Sequence, residues 1–363
     1  MKTICFSFNH LTYSDGVAQS AIAMANYLAD TRMVEVTLRP IFNFDKSILK
    51  DINKKVKVKP ILGFYFRGLS TILNLVPAFL LHDWIFGRDR YQIEIGFQYG
   101  LATCAVVSSS SVKSKHYVWM HGYDEGLHLK EYYKKADRVV CVSKQNADRL
   151  FKELQCAVPV EYCYNPIDNN VVCKLGEEKI DLAIPKELLF VSVGRHSEEK
   201  GYLRLLKIVE RLMNEGYTFK LWLIGDGPQH GELVKYSQEH GLEKVVVFIG
   251  AQKNPHKFTS KADLFVCSSY AEGFSTACSE AIMLGTPVLT TSVSGGKEII
   301  DAAKSGMLVG MSDDDLYEGM KYVIEHQNQV EEWKERLVHT KHKFSASERI
   351  SRLLAVLEIS KNG

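Results

Sequence analysis

Two α/β domains in tandem, each built on a parallel sheet, are the fold this sequence predicts. Strand-like and helix-like runs alternate from end to end, and the alternation restarts after about residue 170. At 363 residues the chain also exceeds one ordinary hydrophobic core. Strands spaced by helical stretches imply parallel pairing through right-handed crossovers, here twice over.

The elements follow in order. Thr3–Phe8 opens as a buried strand, and residues 16–30 follow as a helix ending near Asp30. Val34–Leu38, Ile93–Phe97, Tyr117–Met120 and Val139–Val142 complete the first series of strands. The second series is Leu188–Val193, Phe219–Ile224, Val245–Ile249, Leu264–Cys267 and Val288–Thr291. Between the two lies Asn165-Pro166-Ile167-Asp168-Asn169-Asn170, a turn-rich boundary.

Composition narrows the function. A chain 46% apolar and 24% charged matches ordinary globular usage. Its formal charge of +2 argues against a nucleic-acid partner held by bulk electrostatics. Residues 1–170 carry 21 Lys/Arg against 16 Asp/Glu, so the first half is the one suited to an anionic surface. The eight cysteines show no CxxC pair or zinc spacing, and Cys5, Cys104, Cys141 and Cys267 sit in apolar runs as small hydrophobes. Met1-Lys2 runs straight into a strand without a signal peptide, and a reduced, cytoplasmic location is expected.

Residues 61–86 are unusually aromatic and aliphatic, with Lys54, Lys55, Lys57 and Lys59 before them and Arg67, Arg88 and Arg90 within or after. Arg67, Pro77, His82 and Asp83 interrupt the run and make it a poor transmembrane helix. Two readings stand open: residues 61–90 dock peripherally on the inner face of an anionic membrane, or they form a helix hairpin packed on the first sheet.

The most informative block is Glu272-Gly-Phe-Ser-Thr-Ala-Cys-Ser-Glu280, which reads as a glycine turn opening a helix after the strand Leu264–Cys267. Unpaired N–H groups at such a helix start seat phosphate. Glu280 lies one turn beyond Thr276 on the same helix face. Two acids beside an anion seat suit a ligand with a phosphate centre and hydroxyl-bearing rings at both ends. The competing explanation is that acids near a helix start merely complement its dipole.

Other strand ends add groups of the same kind. Gly194-Arg195 places a guanidinium at the C-terminal edge of a parallel sheet, with Lys200 just beyond, so the two can hold a diphosphate from two sides; the competing explanation is a pair of solvated surface cations. Gly225-Asp226-Gly227-Pro228 lacks the third glycine of the dinucleotide fingerprint, and turn chemistry suffices for it. Ser312 before Asp313-Asp314-Asp315 makes that triplet a capped helix start rather than a metal site. In the first half, Ser14-Asp15-Gly16 joins a strand to a helix, and His121-Gly122 ends another strand.

Taken together, these residues resemble a retaining glycosyltransferase of family 4, with the GT-B fold of two facing Rossmann-like domains. The matching pieces run in order along nearly the whole chain: Asp15-Gly16, His121, Gly194-Arg195, Lys200-Gly201, Gly225–Pro228, Glu272 to Glu280, and Ser294–Ile300. Departures lie on the acceptor side: one glycine in the first loop where many members have two, and variability after Gly122.

The resemblance implies an acceptor-side domain over residues 1–168 and a donor domain over 169–345. A terminal helix in 346–363 crosses back to the first domain, and closure about the linker brings His121 and Gly16 over the donor seat. It implies that Arg195 and Lys200 bind the donor diphosphate, assisted by the Gly16 N–H. Glu272 accepts from the donor sugar, Glu280 from the ribose, and Phe274, Ser275 and Thr276 offer backbone N–H groups. The loop at Gly250 faces the base, and His121 contacts the sugar near the reacting carbon.

The implied reaction moves a sugar from a nucleotide sugar, with UDP the expected nucleotide, to a lipid-linked or polysaccharide acceptor. Fixed cations and a helix N-terminus bind the leaving diphosphate more strongly as its charge grows. They stand where other transferases use a metal, so neither a metal nor a cofactor is expected. A nucleotide-sugar epimerase or hydrolase of the same fold, and a non-catalytic nucleotide-binding protein, are the competing functions.

Overall fold

A computed structural model describes residues 1–12, 16–87, 89–109, 113–122 and 128–359. Ser14, Asp15, Arg88 and the residue after Gly122 lie outside the described residues. The chain divides into two compact units, one of Met1–Pro166 with Ser347–Gly363, the other of Ile167–Ala346.

The first unit holds a seven-stranded parallel sheet of β1 (Lys2–Phe8), β2 (Val34–Pro40), β3 (Lys57–Val58), β4 (Ile93–Gly96), β5 (Lys115–Met120), β6 (Arg138–Cys141) and β7 (Val160–Tyr162), in the order β3-β2-β1-β4-β5-β6-β7. The central strands are buried on both faces, as an apolar run such as Ile4-Cys5-Phe6 requires. The order reverses between β1 and β4, where the C-terminal strand ends diverge and leave a crevice.

The helix Ala346–Val356 belongs to this unit. Arg349 donates to the Asn165 carbonyl at 2.6 Å, Arg352 to Glu161 at 2.9 Å, and Glu358 bonds Arg138 at 3.0 Å.

Residues 61–86 fold as two short helices, Leu69–Leu73 and Ala78–Phe86, after an irregular lead. Leu69, Leu81, Ile85 and Phe86 join a core cluster with Cys5, Phe42 and Leu101. Phe64, Phe66, Ile72, Leu75, Phe79, Leu80 and Trp84 remain exposed. The segment therefore packs on the sheet through one set of side chains and shows solvent another. Among the described residues, no helix is long and apolar enough to cross a membrane.

The second unit repeats the plan with six parallel strands: β8 (Leu189–Val193), β9 (Lys220–Ile224), β10 (Val246–Gly250), β11 (Leu264–Cys267), β12 (Val288–Thr291) and β13 (Met307–Val309), in the order β10-β9-β8-β11-β12-β13. Its core gathers Phe190, Leu205, Val209, Leu223, Val266 and Leu289 between sheet and helices. Asp168 caps the helix Asn169–Gly176, whose Val172 is buried, so the second unit begins at this turn. Ser312 and Asp315 form the capping box of the helix Asp313–Glu325, which leaves the acidic triplet as a helix start.

Candidate active site

In the second sheet the order reverses between β8 and β11, and the loops leaving those two strands carry the charged residues. Beyond β8 the chain runs through Gly194 and Arg195 into a single turn, Glu198–Lys200. Gly201 ends that turn at φ +66°, and a Cβ there would meet the Ser268 carbonyl at 2.2 Å. This close approach joins the β8 loop to the end of β11. Ser268 Oγ donates to the Lys200 carbonyl at 2.9 Å, and the Tyr270 N–H to the Glu199 carbonyl at 2.8 Å. Buried Arg204 donates to the Ser268 and Ser269 carbonyls at 2.8 and 2.9 Å.

The stitching brings Lys200 Nζ to 2.7 Å from Glu272 Oε1, and Ser269 Oγ donates to the same oxygen at 2.7 Å. Burial opposes the charge on Lys200, but the Glu272 carboxylate outweighs it and holds the ammonium pKa above its usual value. Arg195 is exposed, and its guanidinium makes no hydrogen bond or ion pair among the described residues. One cation is thus fixed against an acid and the other is open to an anion.

Beyond Glu272 the helix Thr276–Leu284 starts, with Ser275 as N-cap accepting from the Cys278 N–H at 3.3 Å. The cap does not use the first two helical N–H groups, those of Thr276 and Ala277. Phe274 and Ser275 are buried, whereas Thr276 is exposed. Glu280 has His256 Nε2 at 3.5 Å. Gly250 ends β10 with φ +75° and no atom near its missing side chain. Of the charged residues expected at the donor seat, Lys200 and Glu272 bond each other.

Gly225 has a packing role. At φ +143° a Cβ would strike the Gly194 carbonyl at 1.9 Å, so glycine lets the β8 and β9 ends press together. Buried His196 lies there, Nδ1 at 2.9 Å from His230 Nδ1. Burial first, and the His230 ring second, push the His196 pKa down to about 4.

The first unit has its own concavity at the C-terminal ends of β4 and β5. A cavity of about 350 Å³ is lined by Val17, Tyr99, Trp119, Met120 and His121, among others. Gly16 opens the helix Gly16–Asp30 beside Val17. Burial drives the His121 pKa down to about 3, against a hydrogen bond to the Phe97 backbone, so the imidazole is neutral. Its Nε2 is shielded from water and has no partner among the described residues.

Sequence reasoning missed Ser269, Arg204, His230 and His256. Ser268-Ser269 directly after β11 was the available signal for the first, since a strand's C-terminal end in this fold faces ligand. Arg204 stood one turn beyond Lys200 in a largely apolar helix start. His230 and His256 carried no pattern, because their partners are remote in sequence.

Comparison with known proteins agrees with this geometry. Residues 176–338 match the family described as Glycosyl transferases group 1. The chain is 25% identical over 272 residues to N-acetylgalactosamine-N,N'-diacetylbacillosaminyl-diphospho-undecaprenol 4-alpha-N-acetylgalactosaminyltransferase of Campylobacter jejuni, covering 73% of this chain and 72% of that protein. It is 28% identical to the lipopolysaccharide core biosynthesis glycosyltransferase LpsD of Rhizobium meliloti over 50% of this chain, spanning 52% of that relative.

Among solved structures, a glycosyltransferase from Rickettsia africae superposes with a TM-score of 0.79 at 18% identity, covering 100% of this chain and 99% of that one. Alr3699/HepE of Anabaena, solved in complex with UDP, gives 0.75 at 16% identity, covering 99% of this chain and 100% of that one. With two parallel sheets of seven and six strands and these relatives, the chain is a glycosyltransferase with the GT-B fold.

Proposed function

We propose that the chain is a retaining, metal-independent transferase of family 4 that moves a sugar from a UDP-sugar to a lipid-linked or surface-polysaccharide acceptor. The observation that carries this reading is the grouping of Arg195, the Lys200–Glu272 pair and the start of the helix Thr276–Leu284 at the β8/β11 switch point. An open guanidinium, a fixed ammonium and unused helical N–H groups make a seat for a diphosphate.

In the proposed reaction the bond between the sugar C1 and the diphosphate oxygen breaks, and the nucleoside diphosphate leaves with the bonding pair. The acceptor hydroxyl oxygen bonds C1 from the same face, and its proton passes to the departing phosphate oxygen. Charge growing on that phosphate is met by Arg195, Lys200 and the helix N-terminus, which is the part a metal ion plays in other transferases. Glu272 holds the sugar hydroxyls and Glu280 the ribose, with Gly250 toward the base. His121 and Gly16 belong to the first unit, and their assignments to the donor sugar and diphosphate rest on the family resemblance.

The acceptor class is supported by the names of the Campylobacter and Rhizobium relatives, and the donor by the UDP bound in the Anabaena neighbour. Peripheral docking on the anionic inner face of a membrane is part of the same reading. Its support is the exposed aromatic set from Phe64 to Trp84 beside Lys54, Lys55, Arg67 and Arg90.

A panel of nucleotide sugars tests the proposal, with chelator present and with or without a membrane lipid fraction. Lipid-dependent release of UDP from one donor is the expected result. Release that requires added Mg2+ or Mn2+, with Zn2+ not sufficing, overturns metal independence, and UDP binding without turnover overturns the enzyme assignment.

A further inference from the structure

On the opposite edge of the first sheet, three metal-binding side chains converge in the protein interior. His82 comes from the helix Ala78–Phe86, while Glu94 and His116 are register partners near the starts of β4 and β5. They are 5%, 1% and 7% exposed. His82 Nε2 lies 2.8 Å and His116 Nε2 3.5 Å from Glu94 Oε2, and one ligand atom from each residue falls within 4.8 Å of the others.

We propose that His82, Glu94 and His116 form a structural site for a zinc-class divalent ion, which clamps the helix Ala78–Phe86 to β4 and β5. The outer side of each ring carries the argument. Asp83 lies 3.4 Å from His82 Nδ1, and Asp137 lies 3.8 Å from His116 Nδ1. Asp137 is held in place by the His116 backbone N–H at 2.7 Å. A carboxylate behind Nδ1 is the arrangement that sets the tautomer and orientation of a metal-bound histidine. Neutral rings that give Nδ1–H outward turn both Nε2 lone pairs onto the Glu94 carboxylate.

Three electron-pair donors facing one point in a water-poor interior repel unless a cation lies between them. Without an ion, both rings must instead donate to a single carboxylate oxygen. Yet buried His116 Nε2 stands 3.5 Å from Glu94 Oε2, at the outer limit of a hydrogen bond, and is left unsatisfied there. That orphaned nitrogen is what an ion would satisfy.

Two imidazoles and a carboxylate match zinc, whereas magnesium prefers an octahedron of oxygens. The site is remote from His121, which lies five residue steps further along, just past the end of β5, or about 16 Å at ~3.3 Å per residue. The ion is therefore a fastener for the helix that presents Phe79, Leu80 and Trp84, and takes no part in sugar transfer.

The test uses the full chain, free of any polyhistidine tag and stripped by chelator, titrated with Zn2+ and followed by metal analysis and thermal unfolding. One equivalent of Zn2+ per chain is expected, with unfolding raised by Zn2+ and not by Mg2+. His116→Gln is expected to weaken Zn2+ binding by more than about 100-fold, and Asp137→Asn by about 10- to 100-fold. Should His116→Gln fail to fold, the visible spectrum of Co2+-loaded wild type and Asp137→Asn supplies the readout, with bands of a low-coordinate site displaced by Zn2+. Failure of the stripped wild type to take up Zn2+ or Co2+ overturns the proposal, as does unaltered binding in folded His116→Gln.

Discussion

Lys200 Nζ sits 2.7 Å from Glu272 Oε1, joining the loop after β8 to the loop after β11 across the switch point of the second sheet. Their side chains are 27% and 12% exposed, so the pair is shielded well enough for its attraction to count. Removing one partner leaves the other's charge half-buried and unmatched. The single variants Lys200→Met and Glu272→Gln are therefore expected to destabilise the protein more, added together, than the double variant does. A coupling of about 1 kcal/mol or more in urea unfolding is the prediction. Strictly additive effects would show that the contact carries no energy.

Glu280 has a separate task in the proposed site, because it bonds neither Lys200 nor Glu272 and faces His256 at 3.5 Å. Losing a hydrogen bond to a charged group costs about 1.5–3 kcal/mol, or roughly 10- to 100-fold in affinity. Glu280→Gln is expected to weaken UDP binding by that factor, measured by calorimetry, while Glu272→Gln mainly slows sugar transfer. UDP affinity insensitive to residue 280 removes the ribose assignment and leaves the fold untouched.

Phe64 and Phe66 are 54% and 52% exposed beside a basic stretch. Wild type is expected to float with anionic liposomes, less so at high salt, and Phe64→Ser with Phe66→Ser to float poorly. Equal flotation of wild type and the double variant rules this surface out as the membrane contact.

Burial lowers the His121 pKa to about 3 and the His196 pKa to about 4. In the unfolded chain histidine titrates near ~6.5. Between those values the unfolded chain binds more protons than the folded one. The stability from burying neutral rings is complete above the unfolded value and is lost as pH falls toward the folded one. Urea midpoints are expected to drop from about pH 7 to about pH 5, with a shallower drop in His196→Gln. Parallel curves for the two proteins would contradict the burial argument.

Much of the fold was legible because its central strands are apolar runs buried on both faces. Ten strands, from Thr3–Phe8 to Val288–Thr291, could be read from such runs. The three that sequence did not reveal are Lys57–Val58, Val160–Tyr162 and Met307–Val309, each at a sheet edge and two or three residues long. A strand of two or three residues is too short to write a pattern, whereas β10, also at an edge but five residues long, was legible. Residues 61–86 held both readings because exposed and buried apolar side chains alternate there without a helical stripe.

The charged residues of the site were legible from their place after strands, where Arg195, Lys200 and Glu272 are found. Their bonds were not: the Lys200–Glu272 contact spans 72 residues and depends on Gly201, Ser268 and Arg204 closing one loop onto another. The cluster of His82, Glu94 and His116 is hidden for the same reason, since only strand register and a helix from another stretch of chain bring it together.

The most direct measurement is kcat for Arg195→Ala and Lys200→Ala at saturating donor, with chelator present throughout. Loss of one positioned charge at a leaving group predicts a fall of about 100- to 1,000-fold in each. Turnover near wild type in both variants would contradict the assignment of leaving-group stabilisation to these two cations.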